Sequence, residues 1–162
     1  MTIQEILLIG DLQLYEVSEE VLEEERDTIS GIVQDLHDTI TDFRNKHGFG
    51  RAIAAPQIGV SKRIIYMHID KPVVFVNPVL KDLSNDMIEI WDDCMSIPNL
   101  LVKVKRHRTI TIEYLDENWE VHEMKLNEDL SELLQHEYDH LDGILAVERA
   151  IDGSSFAYRN QI

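Results

Sequence analysis

The stretch Gln135–His140 (QHEYDH) constrains this chain more than any other part of its sequence. His136 and His140 stand four residues apart, and on an α-helix such positions lie one above the other on the same face. The spacing therefore predicts a helix on which both imidazoles can bind one metal ion. Glu137 is turned about 100° from His136, close enough to reach a water beside that metal, as the general base of metal-assisted hydrolysis must be.

The residues around this stretch also favour a helix. Asn127 or Asp129 can cap its start, acidic residues fill its first turn, and Gly143 can end it. Apolar residues follow at helical spacing, namely Leu130, Leu133, Leu134 and Leu141. Two other interpretations of the motif stay open, a surface helix with two chance histidines and a structural zinc site. The second usually needs four protein ligands, several of them cysteines.

Length and charge set the broad class of protein. A chain of 162 residues suits one domain, expected here to span residues 1–162. The net charge of −16, from 15 basic and 31 acidic residues, argues against direct binding to nucleic acids or to anionic membranes. No apolar run is long enough to span a bilayer, and residues 1–10 lack the basic region of a signal peptide, so we expect a cytoplasmic protein.

The first third of the chain predicts one long helix. Residues 6–17 are expected to form an extended arm that packs on the body. Ser18-Glu19-Glu20-Val21 resembles a capping box, which predicts a helix over about residues 19–46 that ends before Gly48. Its apolar stripe consists of Ile29, Ile32, Val33, Leu36, Ile40 and Phe43.

The middle of the chain predicts strands. Alternating or β-branched runs occur at residues 62–69, 73–76, 88–91, 103–105, 108–115 and 119–126. The last two of these runs are expected to form a hairpin around residues 116–118. Residues 144–151 are expected to be extended or irregular, and residues 153–162 are expected to form a frayed polar tail. Strands between two helices predict an α+β fold. We expect mainly antiparallel sheets packed around the His-Glu-x-x-His helix, plus the long N-terminal helix.

Two further stretches can contribute to a site. Cys94 is the only cysteine and follows a predicted strand, where it can be an inert buried residue, a nucleophile or a metal ligand. Together with His136 and His140 it would leave one coordination position open for water, which marks a catalytic site, and this ligand set suits Fe(II), Zn(II), Co(II) or Ni(II). Gln57 lies in the small-residue run 50–59, where its amide can donate to a substrate carbonyl unless the run only serves tight packing.

Taken together, these stretches resemble the peptide deformylase family over nearly the whole chain. Residues 50–57 (GRAIAAPQ) match the family's Gly-x-Gly-apolar-Ala-Ala-x-Gln except at the second glycine. Residues 92–96 (DDCMS) correspond to Glu-Gly-Cys-x-Ser, and residues 135–140 match Gln-His-Glu-x-Asp-His throughout. The resemblance implies a hydrolase that removes formate from the N-formylmethionine of nascent polypeptides, with transient contact to the ribosome.

The resemblance also implies residue roles. Cys94, His136 and His140 would hold one divalent metal, usually ferrous iron in this family, with Zn2+, Ni2+ or Co2+ possible in the isolated protein. Glu137 would be the base, and the Gln57 amide and the Met95 backbone N–H would stabilise the oxyanion. The remaining expected residues are Gly50, Ala52, Ile53 and Leu133 in the substrate pocket, and Asp92 and Arg106 behind the metal ligands.

Four positions depart from the family pattern. Ala52 and Asp93 replace glycines, Asp92 replaces a glutamate, and Leu101 stands where some members carry a substrate-side arginine. The shorter Asp92 is expected to pair less well with Arg106, and Asp93 to face solvent, because an unpaired carboxylate beside a thiolate is costly to bury.

These departures leave two alternatives open. One is a deformylase-like amidase for another small N-acyl substrate, and the other is a non-catalytic metal-binding homologue. Intact Glu137 and Gln57 argue against the second alternative, since neither is needed to hold a metal.

Overall fold

The fold is that of a computed structural model, which describes residues 3–162. It is α+β, as predicted, with two α-helices, α1 (Ile29–His47) and α2 (Glu128–Leu141). The strands are β1 (Ala52–Ala54), β2 (Ile64–His68), β3 (Pro72–Lys81), β4 (Met87–Asp92), β5 (Leu100–His107), β6 (Thr109–Leu115), β7 (Val121–Asn127) and β8 (Phe156–Tyr158). None of the helices within residues 3–162 is long and apolar enough to cross a lipid bilayer.

The strands form two antiparallel sheets that meet at α2. The larger sheet has the order β1-β2-β3-β6-β7, and the smaller has the order β4-β5-β8. The predicted hairpin is confirmed, since β6 pairs with β7 from Thr109–Asn127 to Leu115–Val121. Helix α2 contacts β1 and β7 of the larger sheet and β5 of the smaller one, so it holds residues from both sheets together.

Both faces of the larger sheet are covered. Successive residues of a strand point to opposite faces, so Ile64 packs on the side of α1 with Leu36, while Ile65 packs on the side of α2 with Leu134. All four side chains are fully buried. Helix α1 therefore covers one face of the sheet, and α2, which carries His136 and His140, covers the other.

The long N-terminal helix begins later than predicted. Residues 19–22 are extended, and a short 3-10 helix (Glu23–Thr28) precedes α1. Glu19 forms a bridge with Lys62, and Asn77 binds the backbone N–H and carbonyl of Val21. The capping interaction is made instead by Glu25, whose carboxylate accepts from the Leu22 N–H at 2.8 Å. Long-range backbone pairing thus displaced the local capping box expected at Ser18.

Other parts of the chain show features that the sequence did not predict. The small-residue run contains the edge strand β1 and a 3-10 helix (Ala55–Ile58), and another 3-10 helix (Ala146–Arg149) follows α2. Asn127 occupies the cap position of α2, but its side chain makes no capping hydrogen bond. The prediction of a frayed tail was wrong, because β8 pairs with β5 in the register Leu101–Ala157.

Candidate metal centre

Helix α2 and the turn after β4 bring three metal-binding side chains together. The Nε2 atoms of His136 and His140 are 3.2 Å apart, and the Sγ atom of Cys94 is 3.4 Å from Nε2 of His140. All three residues are buried. The i, i+4 spacing on α2 and the turn closed by the Ile97 N–H on the Cys94 carbonyl produce this arrangement.

These separations suit one metal ion. A tetrahedral centre with bonds of about 2.0–2.1 Å to nitrogen and about 2.3 Å to sulfur separates two nitrogens by roughly 3.3 Å, and nitrogen from sulfur by roughly 3.5 Å. The observed distances of 3.2 Å and 3.4 Å lie close to these values. Three ligands from one thiolate and two imidazoles leave a position open, so the donor set fits a catalytic rather than a structural site.

Asp92 fixes the orientation of the first histidine. Nδ1 of His136 lies 2.8 Å from Oδ2 of Asp92, so a proton on Nδ1 donates to the carboxylate and leaves the Nε2 lone pair facing the metal site. Burial acts to raise the pKa of Asp92, but its interactions with His136 and with the guanidinium of Arg106 outweigh this effect and hold the pKa at about 2. The aspartate is therefore ionised at neutral pH.

Arg106 links Asp92 to the catalytic helix. Its two terminal nitrogens donate to Asp92 at 2.8 Å and to Asp139 at 2.6 Å, and all three side chains are buried. Arg149 closes the series by donating from Nη2 to Asp139 at 2.8 Å. The shorter Asp92 therefore still reaches Arg106, contrary to the weakening expected from the sequence.

Glu137 is buried beside the ligands with one oxygen unpaired. Its Oε2 atom has no hydrogen-bond partner within the described residues. The pKa of Glu137 is raised to about 7, because burial and the charges of Asp92 and Glu132 raise it by more than the interaction with His136 lowers it. A buried acceptor without a partner is rare, so its position next to three metal-binding atoms points to a polar group that binds there.

The two expected oxyanion donors differ in their present hydrogen bonds. Nε2 of Gln57 lies 3.6 Å from Sγ of Cys94 and donates to Oγ of Ser96 at 3.1 Å, while its Oε1 accepts from the Ala54 N–H at 3.0 Å. These contacts orient the amide with its NH2 group toward the metal-binding residues. Within residues 3–162 the Met95 N–H has no hydrogen-bond partner, so it is free to donate.

A cavity opens next to these groups. We call it the metal-side cavity; its volume is about 290 Å³. Its lining consists of Gly48, Phe49, Gly50, Arg51, Ala52, Asp93, Cys94, Met95, Leu133 and Glu137. Gly50, Ala52 and Leu133 are thus among its walls, whereas Ile53 lies fully buried in the core that faces α1. The strand alternation of β1 explains this difference, because Ile53 points away from its neighbours Ala52 and Ala54.

The ion pairs made by Arg51 and Asp93, two residues that line this cavity, were not predicted from the sequence. Arg51 donates to Glu132 at 3.1 Å and to Asp129 at 3.2 Å. Asp93 is neither buried against the thiolate nor free in solvent, because Arg159 donates to its carboxylate at 3.2 Å. An arginine inside the small-residue run could have suggested the first contact, but no sequence signal joins Asp93 to Arg159, 66 residues later.

The site and fold together define a metal-dependent hydrolase of the His-Glu-x-x-His type. The sequence profile of the polypeptide deformylase family matches residues 3–155. The chain belongs to the peptide deformylase family, whose members are metal-dependent hydrolases that remove the formyl group from N-formylmethionine. The resemblance inferred from the three motifs is therefore confirmed, and neither the amidase nor the non-catalytic alternative is favoured.

Individual relatives span almost the entire chain. Peptide deformylase of Pseudothermotoga lettingae is 35% identical over 99% of this chain and 90% of its own length. Peptide deformylase 1 of Prochlorococcus marinus is 33% identical, covering 100% of this chain and 88% of the relative. The crystal structure of peptide deformylase from Thermotoga maritima superposes with a TM-score of 0.86 at 25% identity, over 94% of this chain and 100% of that chain.

A ligand-bound relative is also similar. The Met-Ala-Ser-bound peptide deformylase of Acinetobacter baumannii has a TM-score of 0.83 and 29% identity, over 92% of this chain and 99% of that chain.

Proposed function

We propose that this protein releases formate from N-formylmethionyl peptides at the site formed by Cys94, His136, His140 and Glu137. The observation that carries the proposal is the convergence of three buried metal-binding atoms, 3.2 Å and 3.4 Å apart, beside a carboxylate oxygen that has no hydrogen-bond partner among residues 3–162. The thiolate and the two imidazoles would hold one divalent metal. When bound, such a metal lowers the pKa of water and polarises a carbonyl group.

Glu137 is the proton carrier in this proposal. Its pKa of about 7 would fall beside a divalent cation, which keeps the carboxylate ionised and able to take a proton from the attacking water. The same carboxyl group then gives a proton to the nitrogen of methionine as the C–N bond to the formyl carbon breaks. Formate and a free amine leave. Gln57 and the Met95 N–H donate to the formyl oxygen, and removal of one such donor typically costs about 3–4 kcal/mol of barrier.

Ferrous iron is the proposed metal in cells, and Zn2+, Ni2+ or Co2+ can take its place in the isolated protein. The donor set of one thiolate and two imidazoles accepts all four ions, so the choice of iron rests on the chain's membership of the peptide deformylase family. Loading under anaerobic conditions with each ion, followed by metal analysis and activity, compares them directly. Iron is expected to give the highest turnover, and a higher turnover with zinc would contradict this assignment.

We further propose a cytoplasmic protein that contacts the ribosome transiently, because its substrates are nascent chains. The net charge of −16 disfavours a lasting electrostatic complex with ribosomal RNA, which fits a contact that forms and dissociates quickly. Sedimentation with ribosomes at low and physiological salt tests this point. Stable co-sedimentation at physiological salt would contradict a transient contact.

The decisive experiment measures formate release from formyl-Met-Ala-Ser by anaerobically purified, iron-loaded protein. Acetyl-Met-Ala-Ser is the matched control, since it differs by one methyl group on the acyl carbon. Formate release with little acetate release supports a deformylase. Equal cleavage of both peptides, or no cleavage by fully metal-loaded protein, would contradict the proposed function.

A further inference from the structure

The C-terminal segment of the chain contacts two residues that line the metal-side cavity, Phe49 and Asp93. Strand β8 pairs with β5 through Leu100–Tyr158 and Val102–Phe156, and the N–H of Arg159 then donates to the Asn99 carbonyl at 2.9 Å. These backbone contacts place Arg159 next to Phe49 and Asp93. The family profile ends at residue 155, so Arg159 lies outside the part of the chain that defines the family.

Arg159 connects two residues of this cavity's lining. Its guanidinium carbon lies 3.7 Å from the centre of the Phe49 ring, and its Nη2 donates to Asp93 at 3.2 Å. Its Nε also donates to the Pro98 carbonyl at 3.3 Å. Phe49 and Asp93 both line the cavity. A guanidinium stacked on an aromatic ring and bonded to a carboxylate is held in one orientation, because each contact restricts a different part of the side chain.

One donor group of this arginine remains available. Nη1 of Arg159 has no hydrogen-bond partner within the described part of the chain, and the side chain is 36% exposed to solvent. Its charge is balanced by Asp93, so it does not attract anions strongly, but its N–H groups can still donate to a neutral oxygen. The peptide carbonyl is the neutral acceptor that every substrate of this enzyme class carries.

We propose that Arg159 binds substrate, donating from Nη1 to a backbone carbonyl of the peptide beyond the formylated methionine. The inference rests on the proposed function for the identity of the substrate. It makes Arg159 a residue that selects for peptide length, because a substrate without a residue after methionine has no carbonyl at that place. Charge plays little part in this recognition, since Asp93 neutralises the guanidinium.

The test compares Arg159→Ala with Arg26→Ala on two substrates. Arg26 is a charge-matched control, since its side chain is 44% exposed and its ion pair with Glu23, at 3.8 Å, is remote in sequence from every residue that lines the cavity. For formyl-Met-Ala-Ser, Arg159→Ala should raise KM roughly three- to tenfold, the range for one lost neutral hydrogen bond, and leave kcat within about twofold. For formyl-methionine amide, kcat/KM should be unchanged. Arg159→Lys should recover part of the lost affinity.

Binding of the product peptide Met-Ala-Ser, measured by calorimetry in the Glu137→Gln background, separates this inference from the proposed function. Weaker binding in Arg159→Ala supports the inference even if no formate is released by the wild type. The inference is overturned if Arg159→Ala leaves KM and product binding unchanged. It is also overturned if Arg159→Ala lowers kcat/KM equally for both substrates, because Arg159 would then only hold Phe49 and Asp93 in position.

Discussion

Replacing Arg106 by methionine should destabilise the protein severely. Methionine keeps most of the length of the side chain but leaves Asp92 and Asp139 without the guanidinium that now binds both. Arg106 and Asp92 are 3% and 4% exposed, so solvent cannot replace the lost contacts. Removing one partner of a buried pair typically costs about 3–5 kcal/mol, which for a chain of this size lowers Tm by about 6–20 °C.

The same substitution should weaken metal binding. Asp92 orients His136 through Nδ1, and without Arg106 its carboxylate is less strongly held in the ionised form at 2.8 Å from the imidazole. Loss of such an outer hydrogen-bond partner typically lowers metal affinity about 10–100-fold. Competition with a chelator for Zn2+ measures this change, and it should exceed any change in the Arg149→Met control.

The Arg149→Met variant is the control for burial, because it removes a partly exposed ion pair to the same aspartate. Arg149 binds the same Asp139, but its side chain is 43% exposed. Its loss should therefore cost no more than about 1 kcal/mol in urea unfolding of the zinc-loaded proteins at pH 7.5. If Arg106→Met and Arg149→Met lost the same small amount of stability, the reasoning from burial would be refuted.

Three further substitutions test the site. Glu137→Gln should retain metal but lower kcat by about 10²-fold or more; near-normal turnover would show that another group is the base. Cys94→Ser should lose metal on dialysis, since an alcohol binds metals far more weakly than a thiolate; full retention would require a different ligand. Burial raises the pKa of Glu132 to about 7, so the ionised carboxyl increasingly destabilises the fold as pH rises from about 4.5 to 7. The free energy of unfolding of Glu132→Gln, relative to that of the wild type, should therefore increase by up to about 3 kcal/mol between pH 5 and pH 8. Urea unfolding at both pH values measures the gain, and a constant difference would contradict it.

Local patterns in the sequence predicted the elements that depend on near neighbours. The i, i+4 pair His136 and His140 needs only helix geometry, and the hairpin of β6 and β7 needs only a turn between two alternating runs. The family motifs supplied Cys94 as the third ligand, and the structure brings its sulfur to within 3.4 Å of His140. The α+β class followed from the order of these elements.

Predictions failed where distant segments compete with local preference. Ser18 looked like the start of a helix, but pairing of Glu19 with Lys62 keeps the chain extended there. The tail looked frayed, yet the free edge of β5 pairs with β8, which a local pattern cannot reveal. In both cases a backbone partner more than forty residues away in the chain decided the conformation.

The sequence by itself therefore determined the chemistry of the site, since residue type and helical spacing are enough to choose a metal-dependent hydrolase. Tertiary structure alone decided the surroundings of that chemistry. It joined Asp92, Arg106 and Asp139 into one buried ion-pair series and brought Arg159 within hydrogen-bond distance of Asp93, which lines the metal-side cavity. The physical reason is that ion pairs and cavity walls depend on distances in space between residues far apart in the chain, which no local periodicity encodes.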